Sequence, residues 1–228
     1  MPSRFFACLA LTAGFFLGGC ATNQMAFSED SEKLADKTKP IFLLSVSLKN
    51  SFKPSYPLAL NSLQIEKGDG KNQADKLMFA IDAKADRKVE SSQGDTAYLL
   101  RMELDPGSYQ LRSLHSLSRG FLIVGSFFTP LNMPLAATAK GVYYLGNVNA
   151  VVRERKGSEF RAGPVIPLID QAVVGAAGGS YEVEVKDLFE ADVAAFKAQF
   201  PALAGAEIKK AILPAFDRVN AQKLWEAN

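Results

Sequence analysis

Hydrophobic positions fall in short runs separated by turn residues along most of the chain. Residues 41–48 are apolar or small and end at Lys49, Asn50 and Ser51. Residues 58–65 alternate loosely and stop at Glu66, Lys67, Gly68, Asp69 and Gly70. Residues 77–81 form another short run, and residues 98–104 carry Leu99, Leu100 and Leu104. Asp105, Pro106 and Gly107 then mark a strong turn, since Pro presets φ and Gly admits positive φ. A strand resumes over 109–114. Residues 131–139 read as a further extended segment, weakened by Pro134. Residues 142–153 and 160–169 read as two arms of a hairpin that turns at Arg155, Lys156, Gly157 and Ser158. Its basic residues, Arg153, Arg155, Lys156 and Arg161, are interleaved with Glu154 and Glu159, so the tip reads as a solvated turn. Residues 181–186 alternate strictly, the mark of a strand with one wet face.

The most apolar stretch outside the N-terminal segment is residues 121–128. Exposed, such a run invites aggregation, so it reads as a central strand covered on both faces. The alternative is a strand that contacts a partner or lipid, with Phe121, Leu122, Ile123, Val124, Phe127 and Phe128 as its interface.

After the glycine-rich joint at 175–179 the periodicity changes. Asp187 and Glu190 have the spacing of a capping box. Phe189, Val193, Phe196 and Phe200 follow at i, i+4, i+7 and i+11, one apolar helical stripe that Pro201 ends. The stripe is expected to dock the helix on the sheets, or else to wall a slot for an apolar ligand. Residues 203–213 and 216–225 read as two further short helices, with Trp225 packing the tail onto the body. Together these patterns predict a mostly β protein: an antiparallel β-sandwich over 40–186 with a small helical appendage over 187–228.

Composition agrees. The chain has 228 residues, 48% hydrophobic and 22% charged, an ordinary globular balance. With 26 basic and 24 acidic residues the net charge is +2. Binding to phosphate backbones needs a concentrated basic face, so no nucleic-acid partner is expected. One histidine and two cysteines leave little for metal or nucleophile chemistry. His115 alternates with Ser116 across a strand, and no strand-to-helix elbow frames Ser116 or Ser118. Asp69, Asp75, Asp82 and Asp86 lack the spacing of a calcium loop. The 175–179 loop lacks the Lys and Ser/Thr of a P-loop. No catalytic residue, metal site or cofactor is expected, although a carboxylate pair assembled only in space would leave no such trace.

The N-terminus reads as an address. Residues 1–4 carry one positive charge, and residues 5–16 are apolar but too short to span a bilayer. They lead to Leu17, Gly18, Gly19 and Cys20, a pattern that resembles the bacterial lipobox. The resemblance implies a diacylglyceryl thioether on Cys20, cleavage between Gly19 and Cys20, and acylation of the new amino group. Cys8 would leave with the signal over 1–19, and no disulfide would remain. Ala21, in place of Asp, implies export to the outer membrane, facing the periplasm. Residues 20–39 would follow as the lipidated cysteine and a polar tether with a reach of roughly 24 Å, with room for a short helix over 25–34.

A second resemblance concerns the fold. Leu104, Pro106, Gly107, Tyr109 and Leu111 are similar to a hairpin of prealbumin-like and carboxypeptidase-regulatory-like sandwiches. Gly141, Val142, Tyr143, Tyr144, Leu145 and Gly146 resemble the strand that follows in small bacterial lipoproteins with that kind of domain. These domains share no active site, so the resemblance implies a fold alone. The expectation is a membrane-held envelope lipoprotein that acts as a non-enzymatic binding or scaffold module with an envelope protein partner. Its alternatives are a carrier of lipid or another apolar ligand, and an envelope hydrolase.

Overall fold

The computed structural model describes residues 22–87, 95–164 and 168–227. Among these residues ten strands form two packed sheets with a small helical part. The first sheet has the order β1 (Thr22–Asn23), β4 (Lys76–Ala80), β3 (Ala59–Lys67), β6 (Gly107–Gly120), β7 (Ile123–Ala137). The second has the order β10 (Ile208–Lys210), β8 (Val142–Glu154), β2 (Ile41–Asn50), β5 (Asp95–Glu103). β9 (Gly179–Lys186) continues the second sheet along the same edge of β8 that β10 begins. The sandwich is mixed rather than wholly antiparallel, because β1–β4, β10–β8 and β2–β8 pair in parallel.

The unbroken apolar run at the start of β2 follows from burial on both faces. Phe42, Leu44, Val46 and Leu48 point into the core between the sheets. Ile41 and Leu43 point the other way, into a second core beneath helix α2 (Phe189–Gln199). Along β8 the same division holds across a bulge: register slips between Leu43 and Ser45 of β2, opposite Leu145 and Gly146. Gly146 lies at φ 105, and a Cβ there would sit 3.1 Å from the Lys186 carbonyl. One polar seam crosses the main core. The fully buried Tyr181 hydroxyl, which burial pushes up to about 12, faces Thr129 and Ser116.

Both crossings between β5, β6, β7 and β8 use one device. β5 ends in the second sheet and β6 begins in the first, so Pro106 and Gly107 form a corner between sheets rather than a hairpin within one. The Tyr109 hydroxyl donates back to the Asp105 carbonyl at 2.7 Å. The return from β7 to β8 repeats this: the Tyr143 hydroxyl donates to the Ala139 carbonyl at 3.2 Å. Gly107 and Gly141 share φ 155, a conformation that L side chains rarely adopt.

Several expected elements differ. The segment expected to be a free tether is docked: β1 pairs with β4, and Met25, Ala26 and Phe27 are buried. In place of a helix over 25–34 there is a single 3-10 turn at Leu34–Asp36. Residues 121–128 are not a doubly covered strand. The chain reverses at Phe121 and Leu122, and β7 runs on through Pro130 and Pro134 as the edge of the first sheet. Prolines are tolerated there because an edge strand need not donate on both sides. Among the described residues no hairpin joins 142–153 to 160–169; β8 pairs with β9 instead, and helix α1 (Ile169–Val173) precedes it. The 203–213 helix is absent too. A 3-10 turn at Pro201–Leu203 leads to β10, whose extended backbone the unpaired edge of β8 captures. Asp187 accepts from the Phe189 N–H at 3.1 Å, but Leu188 is the N-cap and Glu190 does not reciprocate, so no capping box forms. Helix α3 (Arg218–Glu226) fits the expected 216–225.

α2 is held by a buried charge as well as by its phenylalanines. Asp192 is fully buried, pairs with Arg87 at 2.7 Å, and accepts from the Tyr144 hydroxyl at 2.6 Å and from Ser45. Burial and the adjacent carboxylate both push the Tyr144 hydroxyl pKa up, so it remains a donor.

Two stability tests follow. Gly107→Val is expected to cost about 1–3 kcal/mol through backbone strain, and Tyr109→Phe about 1 kcal/mol. The more exposed Tyr143→Phe should cost less, all by urea unfolding. Asp192→Ala leaves Arg87, Tyr144 and Ser45 without their acceptor and is expected to cost about 3 kcal/mol or more; a loss under about 1 kcal/mol would show that the phenylalanines alone dock the helix.

Candidate functional site

The outer face of the first sheet is partly roofed by α3. The helix is fastened by its own side chains. Asp217 caps it, accepting from the Asn220 N–H at 2.9 Å. Gln222 accepts from the Phe160 N–H at 2.7 Å and donates to the Ser158 carbonyl at 2.9 Å. Arg218 donates to the Tyr181 carbonyl at 2.6 Å and to Glu159 at 2.8 Å, and lies 4.9 Å over the Phe160 ring. Arg153 beside Glu159 holds that carboxyl down at about 2, so the clamp stays ionised through the neutral range.

Between this roof and the sheet lie two adjoining hollows of about 330 and 270 Å3. Phe128, Arg161 and Trp225 line both. The larger adds Phe160, the amides of Gln64 and Asn132, and the ion pair of Arg112 with Glu66 at 2.9 Å. The smaller adds His115, whose ring meets Phe128 edge-on with centroids 4.7 Å apart. Its Nε2 is out of contact with solvent and has no hydrogen-bond partner. Burial lowers the His115 pKa, which favours the neutral ring.

Chemically, the groove offers two accessible aromatic side chains, Phe128 and Trp225, beside planar amide, guanidinium and carboxylate groups, while the fully buried Phe160 forms part of its floor. That set suits a ligand with an apolar face and a polar rim. Ser116 and Ser118 are buried and bond no histidine. Asp82 belongs to Arg101, Asp69 pairs with Lys71, and Asp75 bonds Asn72. Among the described residues no group of three or more His, Cys, Asp or Glu could hold a metal ion. A further hollow of about 250 Å3 near Phe27 and Phe200 is lined by charges already in use, Asp30 with Lys84 at 2.7 Å and Glu32 with Lys37 at 2.6 Å.

The other sequence-derived residues scatter. Gly19 and Cys20 lie outside the described residues. Phe127 is in the main core, Ile123 is half-buried, Phe128 lines the groove, and Phe121, Leu122 and Val124 are exposed. Phe196 and Phe200 are buried in the second core with Ile41, Leu43 and Leu99, and Phe189 packs against it, while Val193 is half-buried. The three phenylalanines therefore dock the helix. The groove residues Gln64, Glu66, Arg112 and Asn132 carried no signal in the sequence. Among their companions, Phe128, Arg161, His115 and Trp225 had each stood out in the sequence, but not as one site. No family model, curated protein or solved structure matches the chain.

The burial of His115 sets a pH test. Its folded pKa lies below the ordinary 6.5, so the unfolded chain takes up a proton first as pH falls. The stability that His115 gives relative to His115→Gln is expected to be full above about pH 7 and to shrink below about 6.5. Urea unfolding of both proteins at about pH 7.5 and 5.5 measures it; an unchanged difference would place the imidazole in water.

Proposed function

We propose that this protein is a lipid-anchored, non-enzymatic binding module of a bacterial envelope, and that the groove beneath α3 is its ligand site. The observation that carries the binding reading is the meeting of Phe128 and Trp225 with Gln64, Asn132 and the Arg112–Glu66 pair in one hollow. A sugar ring fits that chemistry: its C–H face stacks on an aromatic ring and its hydroxyls meet planar amides and charged groups. The anchor reading rests on Leu17, Gly18, Gly19 and Cys20. With β1 starting at Thr22 and Met25 to Phe27 buried, acyl chains on Cys20 would hold the sandwich close against the membrane rather than on a long leash. Export to the outer membrane with the domain facing the periplasm completes this reading.

Each half has its own test. Cys20→Ser is expected to abolish palmitate labelling and to move the protein out of the membrane fraction; continued labelling would remove the anchor. Trp225 reports the groove directly, because no other tryptophan contributes to emission. Titration with mono- and disaccharides of the envelope glycan is expected to change its emission saturably, and Phe128→Ala should weaken the response by about tenfold. No saturable change with any of them would overturn the sugar reading.

A further inference from the structure

The end of the sandwich at the β6–β7 turn carries an apolar protrusion that the fold does not use. Phe121 is 90% exposed and Leu122 86%. Leu122 also sits at φ 57, a left-handed conformation that glycine or asparagine adopts at lower cost. Both solvation and backbone geometry therefore disfavour these residues at this turn. A second apolar pair stands beside it: Leu168 is 54% and Ile169 81% exposed, and the next residue, Asp170, accepts from the Val124 N–H at 3.2 Å. Val124 itself is half exposed. Two chain segments thus present large apolar side chains at one place.

The surrounding charge says what covers them. Loops 51–58, 119–124, 155–164 and 168–178 gather at this end: Tyr56 lies against Gly120, Phe52 bonds Val152, Arg155 bonds Gly178, and Val174 lies against Gly125. They hold five basic residues and two acidic ones. Both carboxylates are engaged, Glu159 by Arg153 and Arg218, and Asp170 by the Val124 N–H. The bulk of the chain is nearly neutral, so the basic excess is local. A narrow convex apolar tip above a basic collar matches the layered chemistry of an anionic bilayer surface, acyl chains beneath and phosphates above.

We propose that the β6–β7 turn, with Leu168 and Ile169, inserts into the interfacial layer of a membrane that carries anionic lipid. This contact does not rest on the lipid anchor. Thr22 lies at the opposite edge of the same sheet from β7, so tip and N-terminus are separate attachments.

The test uses residues 21–228, which contain every strand and helix of the described residues and both cores. The probe is a vesicle of phosphatidylethanolamine with about one-third phosphatidylglycerol, against phosphatidylcholine alone. The parent is expected to sediment with the anionic vesicles and several-fold less with the neutral ones, and to be released in part at about 0.5 M salt. Phe121→Ser with Leu122→Ser should reduce the partition by at least about tenfold, with an unchanged thermal midpoint because both side chains are solvent-exposed. A parent that stays in solution with anionic vesicles would overturn the proposal, as would a double variant that binds as tightly as the parent.

Discussion

The second core of this protein closes around one buried cation. Arg101 projects from β5 onto the outer face of the second sheet and is fully buried. Removing a guanidinium from water is costly unless each of its donors is met. Here Nε donates to the Ala26 carbonyl at 2.9 Å, Nη1 to the Leu99 carbonyl at 2.9 Å, and Nη2 to Asp82. The Phe200 ring stacks 4.1 Å from its centre. Four separate parts of the chain meet at this side chain: the leading segment, the link after β4, β5 itself and the end of α2. The Arg101 N–H adds a contact to the Met25 sulfur at 3.4 Å. Without Ala26 and Asp82 the cation would be orphaned, and without the cation the Phe200 ring would lose the group stacked on it. The Asp192 cluster does the same for the start of α2, so two satisfied charges fix how the termini cover the sheet.

That dependence explains what was and was not legible in the sequence. The strands over 41–48, 58–65, 77–81 and 98–104 announce themselves because their apolar runs are local. The sandwich with a small helical part follows from them. The docked leading segment does not announce itself, since Met25, Ala26 and Phe27 are too few to signal an element. Their worth comes from Arg101, some 75 residues away. The 160–169 segment has a strand-like composition, yet the edge of β8 takes 179–186 instead. The β6–β7 turn hides for the opposite reason. Its apolar residues imitate a core strand, and only Gly120 hints at reversal. The groove is a product of tertiary assembly: Gln64, Arg112 and Asn132 come from three strands, look like ordinary surface residues one by one, and meet Trp225 of α3 only in the fold.

The treatment of β7 sharpens the case of the exposed tip. As the outer strand of the first sheet, β7 is where another chain would add. It is blunted in three ways. Pro130 and Pro134 offer no donor, the register slips near Leu131 and Asn132, where Asn132 takes φ 51, and the Phe128 N–H is covered by the Ala162 carbonyl at 2.7 Å. A fold that suppresses association so thoroughly along this strand leaves Phe121 and Leu122 bare at its head. General tolerance of exposed apolar surface would not separate the two places. A contact specific to the tip would, because a bilayer or pocket engages side chains at a turn, whereas an open edge recruits any extended backbone.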